Sequence, residues 1–204
     1  MKKIGQTWRI IIGLGLVIVT GTGSLAQAAT NTAVNALGGG VTLTDSGAVT
    51  VTSSSLQLVK QVYDSGGTCL ASSPGDPACN GGVTSIAVAA GTSLKFLIFV
   101  KNTSDVALSD VRFTDVLDTS ATGFTYTAGS IKYTTAPTDA AAAAAIFLAA
   151  NTGTAQTDAL GAPDDYVSYV GSTLAVGAVT GQANQSLGFP KRTSFGIVFS
   201  VIKK

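Results

Sequence analysis

Residues 93–118 read SLKFLIFVKNTSDVALSDVRFTDVLD, and this stretch decides the fold class. Its first half alternates with the two-residue period of an extended strand. One face carries four apolar residues: Leu94, Phe96, Ile98 and Val100. The other face is apolar in its middle and charged only at its ends, which predicts a central strand covered on both sides.

A second strand is predicted from about residue 106 to residue 116, after a turn of short polar residues. Val111 and Phe113 are expected to point inward, whereas the polar residues between and beside them face water. Asp115, which follows, is also assigned to an exposed face. The two strands together predict a half-buried antiparallel pair.

The rest of the chain is read as further strands separated by turns, in particular residues 56–63, 83–89 and 194–202. The last of these has one apolar face, formed by Phe195, Ile197, Phe199 and Val201. An Ala-rich helix is predicted over residues 139–150, with Thr138 or Asp139 as its cap. We therefore predict an all-β protein: a two-sheet antiparallel β-sandwich of seven to eight strands with one short helix and an N-terminal β arm.

Residues 1–28 are predicted to be a signal peptide that is removed on export. Basic residues come first, residues 10–19 form a compact apolar core, and cleavage is expected at Ala28 and Ala29. A retained membrane anchor is the alternative, but it needs roughly 17–25 apolar residues, and polar residues interrupt this run too soon. We expect a secreted protein, extracellular or at the cell surface, that meets the membrane only transiently through the signal peptide.

The charge and composition of the mature chain exclude several function classes. Nine basic and eleven acidic residues remain after the leader, so the near-neutral surface argues against nucleic acid as a partner. The chain has no His and no Glu, the residues that most often perform acid and base catalysis, and it lacks a Gly-rich phosphate loop. We therefore expect no enzymatic activity.

Acidic side chains offer one possible cofactor site. The aspartates at positions 105, 110, 115 and 118, with Asp164 and Asp165, could supply oxygen ligands to Ca²⁺. They lack the regular spacing of a calcium loop, so solvation is the simpler interpretation. No other cofactor is expected.

Cys69 and Cys79 lie in a stretch crowded with Gly, Pro, Asp and Ser. In an exported chain, two cysteines across a short turn-rich loop are expected to form a disulfide. A metal site would need further His or Cys ligands, and a redox pair is normally closer in sequence.

Residues 29–55 form a candidate arm ahead of the sandwich, which spans residues 56–204. After three glycines, two short segments alternate at the strand period, separated by a turn at residues 45–47. Their apolar residues are the candidate donor-strand positions: Val41, Leu43, Val49 and Val51. The arm could fold back as a hairpin of the same domain, or it could pair with a neighbouring molecule.

The central stretch KFLIFVKNTSDVALSDVRFTDVLD resembles the conserved prokaryotic surface-protein repeat known as domain of unknown function 11. Four further segments fall where that family's elements fall: LVKQVYD, GSIKYTTAPTDAA, LAVGAV and FGIVFSVIK. The resemblance implies an immunoglobulin-like sandwich in cell-surface stalks, adhesins, envelope components and filament subunits joined by strand donation. The family commonly occurs as tandem arrays, whereas this chain shows a single copy.

Two functions from different classes follow. The first is a structural filament or envelope subunit, pilus-like, whose partner is itself as a homopolymer joined by the N-terminal arm. The alternative is a monomeric cell-surface adhesin that binds a glycan or another surface protein through its loops. Loop aromatics would serve the adhesin, although Tyr63, Tyr166, Tyr169 and Phe189 could equally pack at strand ends.

Overall fold

The computed structural model describes residues 40–43, 49–52, 56–135, 137–159, 165–178 and 184–204. These residues contain fourteen strand segments, one α-helix and a turn of 3-10 helix at Asn80–Gly82. The strands are β1 (Gly40–Leu43), β2 (Val49–Thr52), β3 (Leu56–Asp64), β4 (Cys69–Ser73), β5 (Ser93–Asn102), β6 (Leu108–Val111), β7 (Phe113–Val116), β8 (Phe124–Tyr126), β9 (Lys132–Thr134), β10 (Thr154–Ala155), β11 (Val167–Val170), β12 (Thr173–Val176), β13 (Leu187–Phe189) and β14 (Thr193–Lys203), and the helix is α1 (Ala143–Asn151).

The larger layer of the molecule is built around β5. Its strand order is β10-β9-β14-β5-β3-β4, with β8 pairing beside β9 on the same edge of β14. β5 pairs with β14 from Ser93 opposite Ile202 to Asn102 opposite Thr193, and with β3 along its other edge. The alternating stretch is thus a central strand with a partner on each side.

The smaller layer contains β11-β12-β7 and the pair β13-β6, all antiparallel. β6 and β7 follow each other with a break at Arg112, just after Asp110, whose φ is 57°. The strand predicted near residues 106–116 is therefore divided in two, and its halves pair with different strands. Such breaks and the short edge strands account for more segments than the seven to eight predicted.

The two layers enclose the main hydrophobic core, which confirms the predicted all-β sandwich architecture. Aromatic rings from both layers meet in it: Phe189 of the smaller layer lies 5.8 Å from Phe195 of the larger layer, between ring centroids. The residues that the alternation places in a core are all buried in this cluster: Leu94, Phe96, Ile98, Val100, Val111, Phe113, Phe195, Ile197, Phe199 and Val201.

A second, smaller core lies on the outer face of the larger layer, under α1. Leu97 and Phe99 of β5 pack there with Tyr63 and with Ile146 and Phe147 of the helix. The second apolar face of β5 is therefore covered, as the sequence predicted.

The predicted start of the helix is wrong. α1 begins at Ala143, its N-cap Ala142 makes no side-chain cap, and the helix ends at Asn151. Thr138 instead bridges to Thr193, and the carboxylate of Asp139 accepts a hydrogen bond from Arg192. Both candidate caps are thus engaged with the β13–β14 turn, which holds them outside the helix.

Residues 83–89, predicted as a strand, are irregular. The carbonyl of Val83 accepts a 2.9 Å hydrogen bond from the amide of Ser72, and Val88 packs against the main core. No strand in the described part of the chain forms a continuous ladder with this segment. Its alternating apolar residues therefore pack on the core although the segment is not a strand.

Part of the predicted arm is described. β1 and β2 form an antiparallel hairpin, with Val41 opposite Val51 and Leu43 opposite Val49. The turn at residues 45–47, the predicted signal peptide and the cleavage point at Ala28 and Ala29 lie outside the described residues.

The predicted disulfide is confirmed. Cys69 and Cys79 are joined, with their Cα atoms 5.1 Å apart, and they close the loop that follows β4. Within the described residues, no helix has the length and apolar character required to cross a membrane.

Candidate functional site

The hairpin formed by β1 and β2 is a sheet of its own. Its four register pairs join only these two strands, and in the described part of the chain neither strand pairs with the sandwich. A hairpin of this kind leaves backbone donors and acceptors along both of its outer edges, which are the groups that strand addition uses.

Most edges of the sandwich are short or covered. β8, β10 and β13 have only two or three residues each. The edge of β4 is covered by the disulfide loop, because Ser72 donates to Val83 and the side-chain amide of Asn80 donates to the Leu70 carbonyl at 2.9 Å.

The edge of β11 is met by residues 156–158, since the amide of Tyr169 donates to the Asp158 carbonyl at 3.1 Å. These are recognised ways of protecting an edge strand.

The edge of β7 is different. β7 pairs with β12 along one edge, and none of the described strands pairs with its other edge. The amide of Leu117 donates to Ser172 on the β12 side at 2.8 Å. Because the backbone groups of alternate residues point to the same side, those of Thr114 and Val116 point away from β12. Val116 is also 56% exposed, one of the most exposed large apolar residues described.

A buried ion pair fixes β7 to the larger layer. Lys60 of β3 donates to both carboxylate oxygens of Asp115, at 2.6 and 2.9 Å, with both side chains largely buried. The expectation that Asp115 faces water is therefore wrong. The alternation of Val111, Phe113 and Leu117 continues through Asp115 and was the signal that places it inward.

The other aspartates are held by neighbouring groups. Asp105 pairs with Arg192, whose guanidinium hydrogen bond lowers the pKa of that carboxyl. Asp110 pairs with Arg112, and Asp165 accepts hydrogen bonds from the amide and hydroxyl of Thr157. In the part of the chain that the structure describes, no three acidic or cysteine side chains form a metal-binding group. Asp164 lies outside that part.

The four aromatic residues that could serve an adhesin pack against the two hydrophobic cores. Tyr63 and Phe189 are 2% exposed, while Tyr166 and Tyr169 lie partly buried against the main core. Tyr169 stacks on Tyr126 with ring centroids 3.9 Å apart. These four rings serve the two cores and form no exposed aromatic surface.

A depression of about 310 Å³ lies beside α1, between the β3–β4 turn and the helix. Lys95 and Asn151 line it and bind each other, because the Lys95 ammonium donates to the Asn151 side-chain oxygen at 2.9 Å. Its principal polar groups are thus already paired with one another.

Comparisons with protein-family models, with curated proteins and with solved structures each found no match. The resemblance to the surface-protein repeat, with the immunoglobulin-like topology that it implies, stays a prediction.

Proposed function

We propose that this protein is a secreted structural subunit that self-associates by strand donation from its N-terminal arm. The observation that carries the proposal is the separate β1–β2 hairpin beside a sandwich whose β7 edge has no partner among the described strands. The hairpin of one copy is the donor, and the β7 edge of the next copy is the acceptor.

The two surfaces are chemically matched. The candidate donor positions Val41, Leu43, Val49 and Val51 alternate with threonines, so an added strand carries one apolar face and one polar face. On β7, Phe113 and Asp115 are buried while Thr114 and Val116 face outward, so an added strand would extend the buried face with its apolar residues and the outward face with its threonines. Backbone hydrogen bonds would supply the affinity, while the alternating side chains would set the register.

Donor and acceptor are different surfaces of the same chain, so the contact is heterologous. A heterologous contact that does not close into a ring produces an open-ended filament. The predicted disulfide, which is observed, suits an extracellular setting, and the near-neutral charge of the mature chain limits repulsion between copies.

The first experiment removes the donor. The mature chain, beginning at residue 29, is expected to form filaments that negative-stain microscopy and sedimentation detect. Deleting residues 30–55 is expected to leave separate globules, and a synthetic peptide of residues 30–55 should bind these globules while a scrambled peptide should not. Normal assembly of the deletion variant would falsify strand donation, and discrete particles from the intact mature chain would favour the monomeric adhesin instead.

The second experiment changes the acceptor. Val116→Lys places a charge on the β7 edge, which disfavours addition of another strand at little cost to the fold because the residue is exposed. Val170→Lys is the matched control: Val170 lies on the same sheet, is 42% exposed and belongs to β11. Assembly should be lost in the first variant and kept in the second, and equal assembly of the two would exclude the β7 edge as acceptor.

A further inference from the structure

The ion pair of Lys60 and Asp115 joins the two layers of the sandwich from the inside. Lys60 belongs to β3 of the larger layer and Asp115 to β7 of the smaller one. Their side chains are 17% and 8% exposed, and the Lys60 nitrogen also lies 4.9 Å from the centre of the Phe96 ring. An amine and a carboxyl group are thus held in contact in an apolar surrounding.

The stability of the folded protein does not by itself explain why these two positions carry an ion pair. Removing two charges from water costs several kcal/mol per ion, and replacing a buried ion pair with apolar residues is often neutral or stabilising. The neighbouring inward positions on both strands, Val62 and Phe113, are apolar and belong to the core. An apolar pair at positions 60 and 115 would continue that pattern.

The contact is, however, well arranged for a reaction between the two groups. Both carboxylate oxygens accept hydrogen bonds from the same nitrogen, so the carboxyl carbon of Asp115 lies directly beside it. Transfer of one proton along the 2.6 Å hydrogen bond produces an uncharged amine and an uncharged acid. An uncharged, desolvated lysine is a nucleophile, and fixing the reactants raises the effective concentration by many orders of magnitude.

We propose that Lys60 and Asp115 form an intramolecular amide bond that covalently joins β3 to β7. The lone pair of the Lys60 nitrogen attacks the carboxyl carbon of Asp115, and a carbon–nitrogen bond forms. The bond from that carbon to the hydroxyl oxygen then breaks, and this oxygen leaves as water with a proton from the nitrogen. One amine and one carboxylic acid become one amide and one water, without any oxidant, reductant or co-reactant.

The decisive measurement is the intact mass of the purified mature protein after reduction of its disulfide. The proposal expects a mass lower by one water than the mature sequence requires. Proteolysis and tandem mass spectrometry should then identify a branched peptide in which the segment containing Lys60 is linked to the segment containing Asp115. A measured mass equal to that of the complete mature sequence overturns the proposal. A loss of one water that maps to other residues overturns it as well.

Paired variants test the assignment of the two residues. Lys60→Arg and Asp115→Ala should each restore the full mass. Lys101→Arg and Asp105→Ala are the controls, since these side chains bind the Ala141 carbonyl and Arg192, and both should keep the loss of water. Persistence of the loss in Lys60→Arg contradicts the proposal. The wild-type mass decides the question even if a variant at either position fails to fold, and it does so whether or not the protein polymerises.

Discussion

Tyr63 and Phe147 make the closest aromatic contact under the helix. Their rings are stacked at a centroid distance of 3.8 Å, and the Tyr63 hydroxyl donates to the buried side-chain oxygen of Gln61 at 2.7 Å. Gln61 in turn donates to the Ser72 hydroxyl at 3.2 Å. The outer face of the larger layer thus buries polar groups only where hydrogen bonds satisfy them.

Phe147→Ala tests how strongly this contact holds α1. We expect a loss of about 3–5 kcal/mol in the free energy of unfolding, since a buried ring is replaced by a cavity. Leu148→Ala, at the next position of the helix and 63% exposed, is the control and should change stability by less than about 0.5 kcal/mol. Urea unfolding followed by circular dichroism measures both, and equal effects would show that the helix is not anchored through Phe147.

Alkaline pH tests the environment of Tyr63. Burial, and then the negative charge of Asp76, raise the pKa of Tyr63 to about 12. Below pH 10 the phenol is protonated in both the folded and the unfolded chain, so its contribution to stability is fully present. Above pH 10 the unfolded chain loses the proton first, so stability falls as pH rises toward 12.

Urea midpoints measured across this pH range should therefore decline in the wild type. The decline should be smaller in Tyr63→Phe, which lacks the titrating hydroxyl. A Tyr63→Phe variant that declines as steeply as the wild type would assign the alkaline loss to Tyr126, Tyr133 and Tyr169, whose pKa values burial also raises.

At the scale of single residues, the sequence predicted which side of a strand a residue faces better than it predicted the partner of a charged side chain. The two-residue alternation places the apolar residues of β5 and β14 in the core. It also places Lys60 and Asp115 inward, between Leu58 and Val62 on one strand and between Phe113 and Leu117 on the other. Asp115 was nevertheless predicted to face water, because charged residues are mostly exposed. Its partner Lys60 lies 55 residues away in sequence, and a single strand does not reveal a pairing at that distance.

The contact of α1 with β14 depends on the absence of a side chain at Gly196. A Cβ atom added there would lie 2.6 Å from the Cγ2 methyl of Ile146, which is itself fully buried. A strand and a helix can approach this closely only where one of them has no side chain.

Gly196→Ala is therefore expected to cost about 1–3 kcal/mol of stability through overpacking. Adding Ile146→Ala relieves the clash, so the double variant should lose less than the sum of the two single losses. Gly188→Ala is the control, because the nearest atom there is the Leu108 carbonyl oxygen at 3.9 Å. Additive losses in thermal unfolding would contradict a direct contact between residues 146 and 196.

The disulfide loop has its own prediction. Cys69→Ala combined with Cys79→Ala should lower stability by about 2–3 kcal/mol, the value for closing a loop of this length. A reducing agent should lower the urea midpoint of the wild type by a similar amount and leave that of the double variant unchanged. An unchanged wild-type midpoint in reductant, with reduction verified by thiol labelling, would show that the loop is held by its hydrogen bonds alone.

Elements were predicted well where local pattern decides them and poorly where distant contacts do. β5 follows from its own residues. The start of α1 does not, because Asp139 binds Arg192, 53 residues away, and so is withheld from the helix. Residues 83–89 alternate like a strand, but alternation specifies a face and not a partner.

For the whole molecule, the sandwich class followed from the number of alternating segments and the turns between them. The order of the strands did not, since pairing β3 and β14 on opposite edges of β5 requires contacts between residues as far apart in sequence as Ser93 and Ile202. The candidate edge on β7 depends on that order, which is why the sequence indicated a donor but no acceptor.

The placement of β3 and β14 also determines how the molecule would bear tension. Leu56 begins its ladder opposite Asn102, whereas the C-terminal end of β14 lies beside Ser93, at the other end of β5. Pulling these two ends apart slides both strands along β5, so their hydrogen bonds must break together and not one after another. Single-molecule stretching from residue 56 to residue 203 should accordingly require a higher rupture force than stretching from residue 56 to residue 73, across β3 and β4, whose bonds can open in sequence.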